Sequence, residues 1–186
     1  VGSFPHLPNL DALDHLLAEV WPRVRRHLPE ARLTVAGARP PQRVLELDGH
    51  DGVVVAGEVL DLAPRYQSHR LLVVPLRAGS GTRLKILEAM ACGLPVVSTT
   101  IGAEGIDGPA GDHLIVADDA ASFADAIATL LEEPDRAAAR RSASGRSLAT
   151  ERYDWDAIAQ RLTAALAELV PDEPRRGGQP APTSGA

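Results

Sequence analysis

Apolar residues along this chain follow two patterns, a helical periodicity in some segments and short unbroken runs in others. The helical spacing predicts helices over residues 9–28, 41–47, 60–67, 83–92, 122–131, 135–150 and 154–170, the first with Asn9 as its N-cap. The runs predict strands over residues 32–37, 53–57, 71–75, 95–98 and 114–116, and residues 1–3 look like the end of another strand. Such runs are typical of strands that helices cover on both faces. We therefore predict an α/β fold, a doubly wound parallel sheet of about six strands with helices on both faces.

Composition and charge limit the kinds of molecule and metal that this chain could bind. The 186 residues suffice for one domain with a hydrophobic core, and the net charge of -6 argues against a nucleic-acid or anionic-membrane binder, which needs a basic surface. The single cysteine, Cys92, excludes a disulfide framework and a cysteine-based zinc site, and the six histidines lack metal-ligand spacing. No apolar run is as long as a membrane span. We therefore expect no metal, no nucleic-acid partner and no transmembrane segment.

The two ends of the chain differ from its middle. Because the first residue is Val1 and residues 1–3 look like a strand already under way, we expect the chain to begin inside a longer polypeptide. The last predicted helix, over residues 154–170, carries an apolar stripe made of Ile158, Leu162, Leu166 and Leu169. Residues 171–186 show no periodicity and are rich in Pro and Gly, so we expect them to be disordered. Residues 1–170 then form one domain.

A glycine-containing loop between a predicted strand and a predicted helix is the best candidate for a ligand site, because open parallel sheets bind ligands at the carboxyl ends of their strands. Gly79 and Gly81 let a phosphate approach the backbone, and free N–H groups of the first helical turn supply donors. Thr82 is the expected N-cap. Arg83 and Lys85 follow in the first turn, where the helix dipole disfavours cations, and a bound diphosphate would remove that conflict. Alternatively, both cations point to solvent or pair with carboxylates.

Glu88 lies in an otherwise apolar stretch of the same helix, where a buried carboxylate is costly unless it is hydrogen-bonded. We expect it either to pair with Lys85, one turn earlier, or to accept hydrogen bonds from the vicinal hydroxyls of a ribose. The residues themselves leave both interpretations open.

Residues 83–99, with the sequence RLKILEAMACGLPVVST, resemble the donor-site segment of the group 1 (family 4) retaining glycosyltransferases. Weaker matches follow in the same order and spacing at residues 1–3 with 8–9, 55–59, 74–76, 102–105 and 153–155, so the resemblance extends to about Val170. It implies a C-terminal, donor-binding domain, which is the Rossmann-like half of a GT-B fold. It also implies that the last helix braces an N-terminal acceptor domain, which we expect to be missing from this chain.

The resemblance also implies roles for particular residues. A glutamate at the position of Glu88 holds the nucleotide ribose in that family. The loop before it holds the diphosphate, which here corresponds to Gly79, Ser80, Gly81 and Thr82. Gly57 and Val59 fall in the loop that lies near the base in relatives.

Two departures from the family pattern affect the donor site. Many relatives carry a second glutamate near the donor sugar, eight positions before the equivalent of Glu88, and here that position is Ser80. Many also carry an Arg and a Lys that grip the diphosphate after the first strand of this domain, and residues 2–9 contain neither. Arg83 and Lys85 would supply the missing charge locally.

The expected function is transfer of a sugar from a nucleotide diphosphate sugar to an unidentified acceptor with retention of configuration. No catalytic base, nucleophile or cofactor is assigned, and the chain alone is expected to be inactive. The alternatives are a non-catalytic nucleotide-sugar-binding module, which Ser80 favours, a nucleotide-sugar epimerase of the same fold, and an interaction domain without a ligand. We expect the enzyme to be cytoplasmic, with any membrane contact made through the missing domain.

Overall fold

The computed structural model describes residues 1–106 and 113–169 of the chain. The helices are α1 (Leu7–His15), α2 (Trp21–His27), α3 (Gln42–Leu45), α4 (Ala63–Ser68), α5 (Leu84–Ala91), α6 (Ala120–Glu132), α7 (Asp135–Leu148) and α8 (Trp155–Leu169), with π-helical segments at Leu16–Val20 and Ala149–Tyr153. The strands are β1 (Leu33–Ala36), β2 (Val53–Gly57), β3 (Leu72–Val74), β4 (Val96–Ser98) and β5 (Leu114–Val116). The tail predicted to be disordered, residues 171–186, lies outside the described residues.

The strand pairs within the described ranges are parallel, and helices alternate with most of the strands, which confirms the predicted α/β class. β1 pairs with β2, and Leu33 lies opposite Val53. β4 lies between β3 and β5, so that Val96 has Leu72 on one side and Leu114 on the other. The sheet is thus divided into a two-stranded and a three-stranded part.

Five strands are described, whereas the sequence predicts about six. Residues 1–4 account for the difference, because they run beside the end of β1 without forming a regular strand. The N–H of Gly2 donates to the carbonyl of Ala36 (3.0 Å), and that of Phe4 donates to the carbonyl of Ala38 (3.1 Å). These bonds hold the start of the chain at the carboxyl end of the sheet, next to the candidate site.

A cavity of about 520 Å³ lies between the two parts of the sheet, with residues of β1 and of β3 in its wall. One hydrogen bond, between Nε2 of His69 and Oγ1 of Thr34 (2.8 Å), connects the two sides. Apolar side chains from the helices above and below the sheet complete the lining, including Leu16, Tyr66 and Ile127.

Two hydrophobic clusters hold the layers together. The first packs α1, α2 and α6 against β1 and β2, and it contains Phe123 and Ile127, two members of the apolar face predicted for α6. Leu131, predicted on the same face, is only partly buried. The second cluster packs α4 and α5 against β3 and β4, with Ile86 and Met90 of α5 fully buried. Burying a side chain of this size contributes about 1.5–3 kcal/mol, so α5 is firmly anchored on its inner face.

The first helix differs from the prediction in two ways. Asn9 is not its N-cap, because α1 already begins at Leu7 and Asn9 lies inside the helix, where its side-chain amide donates to the carbonyl of Ser3 (2.8 Å). The helix also passes through the π-helical segment Leu16–Val20. Pro22 explains the second difference, since proline lacks the N–H needed for the α-helical bond to the carbonyl four residues earlier.

The last helix, α8, leaves its predicted apolar stripe in solvent. Leu162 is 58% exposed and Leu166 is 52% exposed, and none of the residues in α8 is buried. Trp155, at the start of the helix, is 83% exposed. The described part of the chain therefore leaves the three leucines of this stripe uncovered, whereas Ile158 is partly buried. None of the helices within the described ranges is long and apolar enough to cross a membrane.

Candidate functional site

The glycine loop predicted as a ligand site lies at the carboxyl end of β3, directly before α5. Gly79 and Gly81 have φ values of 111° and 85°, a backbone conformation that side chains with a Cβ rarely adopt. A Cβ on Gly79 would also come within 3.1 Å of the guanidinium of Arg83. The loop thus needs glycine both for its curvature and for the room that Arg83 occupies.

Arg83 fills the inside of this loop. Its side chain folds back, and Nη1 donates to the carbonyls of Ser80 and Gly81, the latter at 2.8 Å. Nε and Nη2 are buried and have no hydrogen-bond partner within the part of the chain that the structure describes. Leaving a buried charged donor unpaired is costly, so these two N–H groups favour an anion in the loop.

Thr82 is not the N-cap of α5, contrary to the sequence prediction. The helix begins at Leu84, one residue later than predicted, and its N-cap is Arg83. A guanidinium only donates hydrogen bonds, so it cannot accept from the first helical N–H groups, and no side chain caps the helix. The N–H of Ile86 donates to the carbonyl of Arg83 (2.9 Å), and no side chain takes up the donors before it, so these remain for another acceptor.

Lys85 points toward the start of the chain instead of toward solvent. Its ammonium donates to the carbonyl of Val1 (2.6 Å) and to Oδ1 of Asn9 (3.1 Å). The pKa of Lys85 is lowered from its ordinary 10.5 to about 8, mainly by burial and also by the nearby charge of Arg83, while the charge of Glu88 opposes this shift. The ammonium of Lys85 is thus partly enclosed, and it loses its charge as the pH rises through about 8.

Glu88 is exposed on α5, so its carboxylate carries no burial cost. Its Oε2 accepts a hydrogen bond from the hydroxyl of Tyr66 on α4 (3.3 Å). No ion pair between Glu88 and Lys85 forms among the described residues, so the structural partner of Glu88 is Tyr66 and not Lys85. Sequence reasoning missed Tyr66, because no spacing rule connects residues 22 positions apart on two helices.

A second loop, which follows β4, lies against the glycine loop. Buried Thr99 connects them, since its hydroxyl donates to the carbonyl of Leu76 and accepts from the N–H of Gly102. Further along, a Cβ on Gly105 would come within 2.7 Å of Oγ1 of Thr82. The two loops therefore form adjoining walls at the carboxyl ends of β3 and β4.

Gly57 and Val59, predicted to lie near a base, are located at the carboxyl end of β2 and in the loop after it. Gly57 has a φ of 65°, and its carbonyl accepts from the N–H of Gly37 (2.7 Å). This loop leads into α4, the helix that carries Tyr66. No group of three or more metal-ligating side chains occurs in residues 1–106 and 113–169.

Known proteins similar to this chain show its family. The family model for glycosyl transferases group 1 matches residues 1–133. The chain is 32% identical over 133 residues to the lipopolysaccharide core biosynthesis mannosyltransferase LpsB of Rhizobium meliloti, a match that covers 69% of the chain and 37% of LpsB. It is 28% identical over 171 residues to a GDP-mannose-dependent phosphatidylinositol monomannoside mannosyltransferase of Corynebacterium glutamicum, covering 86% of the chain and 44% of that protein.

Among solved structures, HepE of Anabaena in complex with UDP has a similar fold, with a TM-score of 0.67 and 19% identity, covering 80% of the chain and 44% of HepE. The chain thus spans less than half the length of each of these proteins.

Proposed function

This chain belongs to the glycosyl transferases of group 1, and we propose that it is the domain of such an enzyme that binds the nucleotide diphosphate sugar. The enzyme would transfer the sugar to an acceptor with retention of configuration. The curated relatives support transfer, since both named above are mannosyltransferases. This support favours transfer over the epimerase alternative.

One observation carries the proposal: the guanidinium of Arg83 lies inside the glycine loop with two buried N–H groups unpaired among the described residues. The open N-terminus of α5 is adjacent, and its free N–H groups and positive dipole end favour the same kind of ligand. A diphosphate offers several oxygens and a double negative charge, so it would bind both the guanidinium of Arg83 and the N-terminus of α5. In the reaction, these groups would stabilise the charge that develops on the departing diphosphate.

With the diphosphate in the glycine loop, the ribose and the base are assigned to neighbouring residues. Glu88 presents its carboxylate to solvent on α5, in the helix that the glycine loop leads into, and we assign it to the ribose hydroxyls. The loop with Gly57 and Val59 is assigned to the base. Ser80 replaces a carboxylate near the donor sugar, so it would contribute one hydroxyl there instead of a negative charge.

The exposed stripe of α8 supports the existence of a partner domain. Three leucines of this stripe are more than half exposed, and an N-terminal acceptor domain packed on them would bury that surface. The chain covers 37% and 44% of the two mannosyltransferases named above, so the remaining length of such proteins is sufficient for a further domain. We place the enzyme in the cytoplasm, which the single cysteine, Cys92, supports.

Replacing Arg83 with Ala should remove most of the preference for a diphosphate over a bare nucleoside. Loss of a single charge-assisted hydrogen bond costs about 1.5–3 kcal/mol, so the affinity for UDP or GDP should fall by at least about tenfold. Calorimetric titration with UDP, GDP, uridine and guanosine measures the effect. Arg77→Ala is the matched control, because Arg77 lies in the same loop but its guanidinium is bound by Asp11. An undiminished diphosphate preference in Arg83→Ala would show that the phosphates bind elsewhere.

The charge of Lys85 should make UDP binding depend on pH. A bound anion stabilises the ammonium, whose pKa burial has lowered to about 8, so the affinity for UDP should fall by about twofold to fivefold as the pH rises from about 7 to about 9.

The sign of this pH effect separates binding from folding. The pKa of Lys85 is lower in the folded chain than in the unfolded chain, so loss of its proton above about pH 8 favours the folded state. A weaker affinity at high pH therefore does not reflect unfolding caused by this residue. Lys85→Met should abolish the pH dependence between these values, and a dependence that persists in the variant would assign it to another group.

A further inference from the structure

We propose that Tyr66 is a positioning residue for the nucleotide: its hydroxyl holds the carboxylate of Glu88 in the orientation that receives the ribose hydroxyls. This inference rests on the proposed function, because it concerns the same site. The resemblance to the family does not point to Tyr66, and its position becomes evident only from the contact between α4 and α5.

The side chains of Tyr66 and Glu88 differ sharply in conformational freedom. Tyr66 is 4% exposed, and its ring is part of the hydrophobic cluster that includes Leu72, Val74 and Ile86. Its orientation is therefore set by packing. Glu88 is exposed, and within the described residues the hydroxyl of Tyr66 is the one hydrogen-bond donor to its carboxylate. A rigid donor thus restrains a side chain that would otherwise sample several rotamers.

The chemistry of this bond suits a ribose ligand. The hydroxyl of Tyr66 donates its single proton to Oε2 at 3.3 Å, which leaves Oε1 and a second lone pair of Oε2 for the two vicinal hydroxyls of a ribose. Burial raises the pKa of Tyr66, and the charge of Glu88 raises it further, so the hydroxyl stays protonated and remains a donor. A carboxylate already held in one orientation loses less conformational freedom when the ligand binds.

Tyr66 also connects two parts of the proposed site. It lies on α4, which follows the loop assigned to the base, and it contacts α5, which carries the carboxylate assigned to the ribose. A shift of α4 would therefore move the base loop and the ribose carboxylate together.

The test compares UDP and GDP with their 2′-deoxy counterparts in calorimetric titrations of the native chain and of Tyr66→Phe. The variant keeps the buried ring and removes only the hydroxyl. We expect its affinity for the ribonucleotide to fall by about threefold to tenfold and its affinity for the 2′-deoxy nucleotide to change less, so that the preference for ribose decreases. Tyr153→Phe is the matched control, since the hydroxyl of this second tyrosine donates to the carbonyl of Gly105 and not to Glu88. Its ribose preference should equal that of the native chain.

Glu88→Ala separates the failure of this inference from the failure of the proposed function. If Glu88→Ala abolishes the ribose preference and Tyr66→Phe leaves it intact, Glu88 binds ribose without help from Tyr66 and the inference is overturned. If Glu88→Ala itself keeps the ribose preference, the assignment of ribose to Glu88 is wrong. The inference about Tyr66 and this part of the proposed function are then both refuted. A lower melting temperature of Tyr66→Phe with an unchanged ribose preference would assign a purely structural role to the hydroxyl and would also overturn the inference.

Discussion

Purified as it stands, this chain is expected to bind a nucleoside diphosphate and to transfer no sugar. The proposed site has the glycine loop, Arg83 and Glu88 on one wall, and the exposed stripe of α8 leaves the surface for a second domain uncovered. Without that domain the acceptor is not oriented against the donor sugar. Proximity and orientation can lower the activation barrier by about 7–11 kcal/mol, which corresponds to a rate factor of at least about 10⁵. One wall of the site cannot replace this effect.

The measurement is release of UDP from UDP-glucose and of GDP from GDP-mannose, by the chain alone and by the chain fused to an N-terminal acceptor domain of the family. Full-length LpsB is the positive control. Its segment that aligns with this chain, taken alone, is the matched negative control. Turnover by the chain alone at a rate near that of the fusion would refute the proposal that it is one half of an enzyme. A fusion that binds donor but never turns over would favour the non-catalytic binding module.

Replacing Glu88 with Ala is expected to weaken binding of UDP or GDP by about tenfold to a hundredfold and to leave the fold intact. Hydrogen bonds to a charged group contribute about 1.5–3 kcal/mol, and the carboxylate is assigned to two ribose hydroxyls. Stability should change little, because the carboxylate is exposed and the described residues give it one neutral partner, Tyr66. Titration calorimetry and thermal unfolding measure the two effects separately.

Glu46→Ala is the control for the loss of one surface carboxylate. Glu46 is also exposed, it follows α3, and it accepts from the side chain of Gln42 (3.2 Å). Its replacement should leave nucleotide affinity unchanged. Unaltered affinity of Glu88→Ala, combined with a large loss of melting temperature, would give Glu88 a structural role through Tyr66.

Short-range patterns were sufficient for the elements of the fold. The apolar runs predicted β2 and β5 to the residue, and β1, β3 and β4 to within two residues at either end. These runs identified the strands although β2 and β5 are only partly buried, with Val54 and Val116 exposed, because β-branched residues favour the strand conformation. The glycine loop was predicted on the same kind of evidence, since the change from strand to helix happens within a few residues.

The helix starts depended on longer-range contacts. Asn9 has the chemistry of an N-cap, yet its side chain binds the carbonyl of Ser3 and the ammonium of Lys85, which lies 76 positions away. Thr82 is displaced as N-cap because Arg83 folds back into the glycine loop. At Asn9 the cap propensity was outweighed by a partner 76 positions away, whereas at Thr82 it was outweighed by a local contact, because Arg83 binds carbonyls two and three positions earlier.

The amino-acid sequence by itself determined the α/β class, the order of the elements and the loop that would hold a phosphate, because each of these depends on neighbouring residues and on burial. The tertiary structure decided what the charged side chains do. It leaves two donors of Arg83 unpaired within the described residues, turns Lys85 toward Val1, and places Tyr66 against Glu88. Hydrogen bonds act over about 3 Å, whereas the partners here are separated by up to 84 positions along the chain, so only packing could select them.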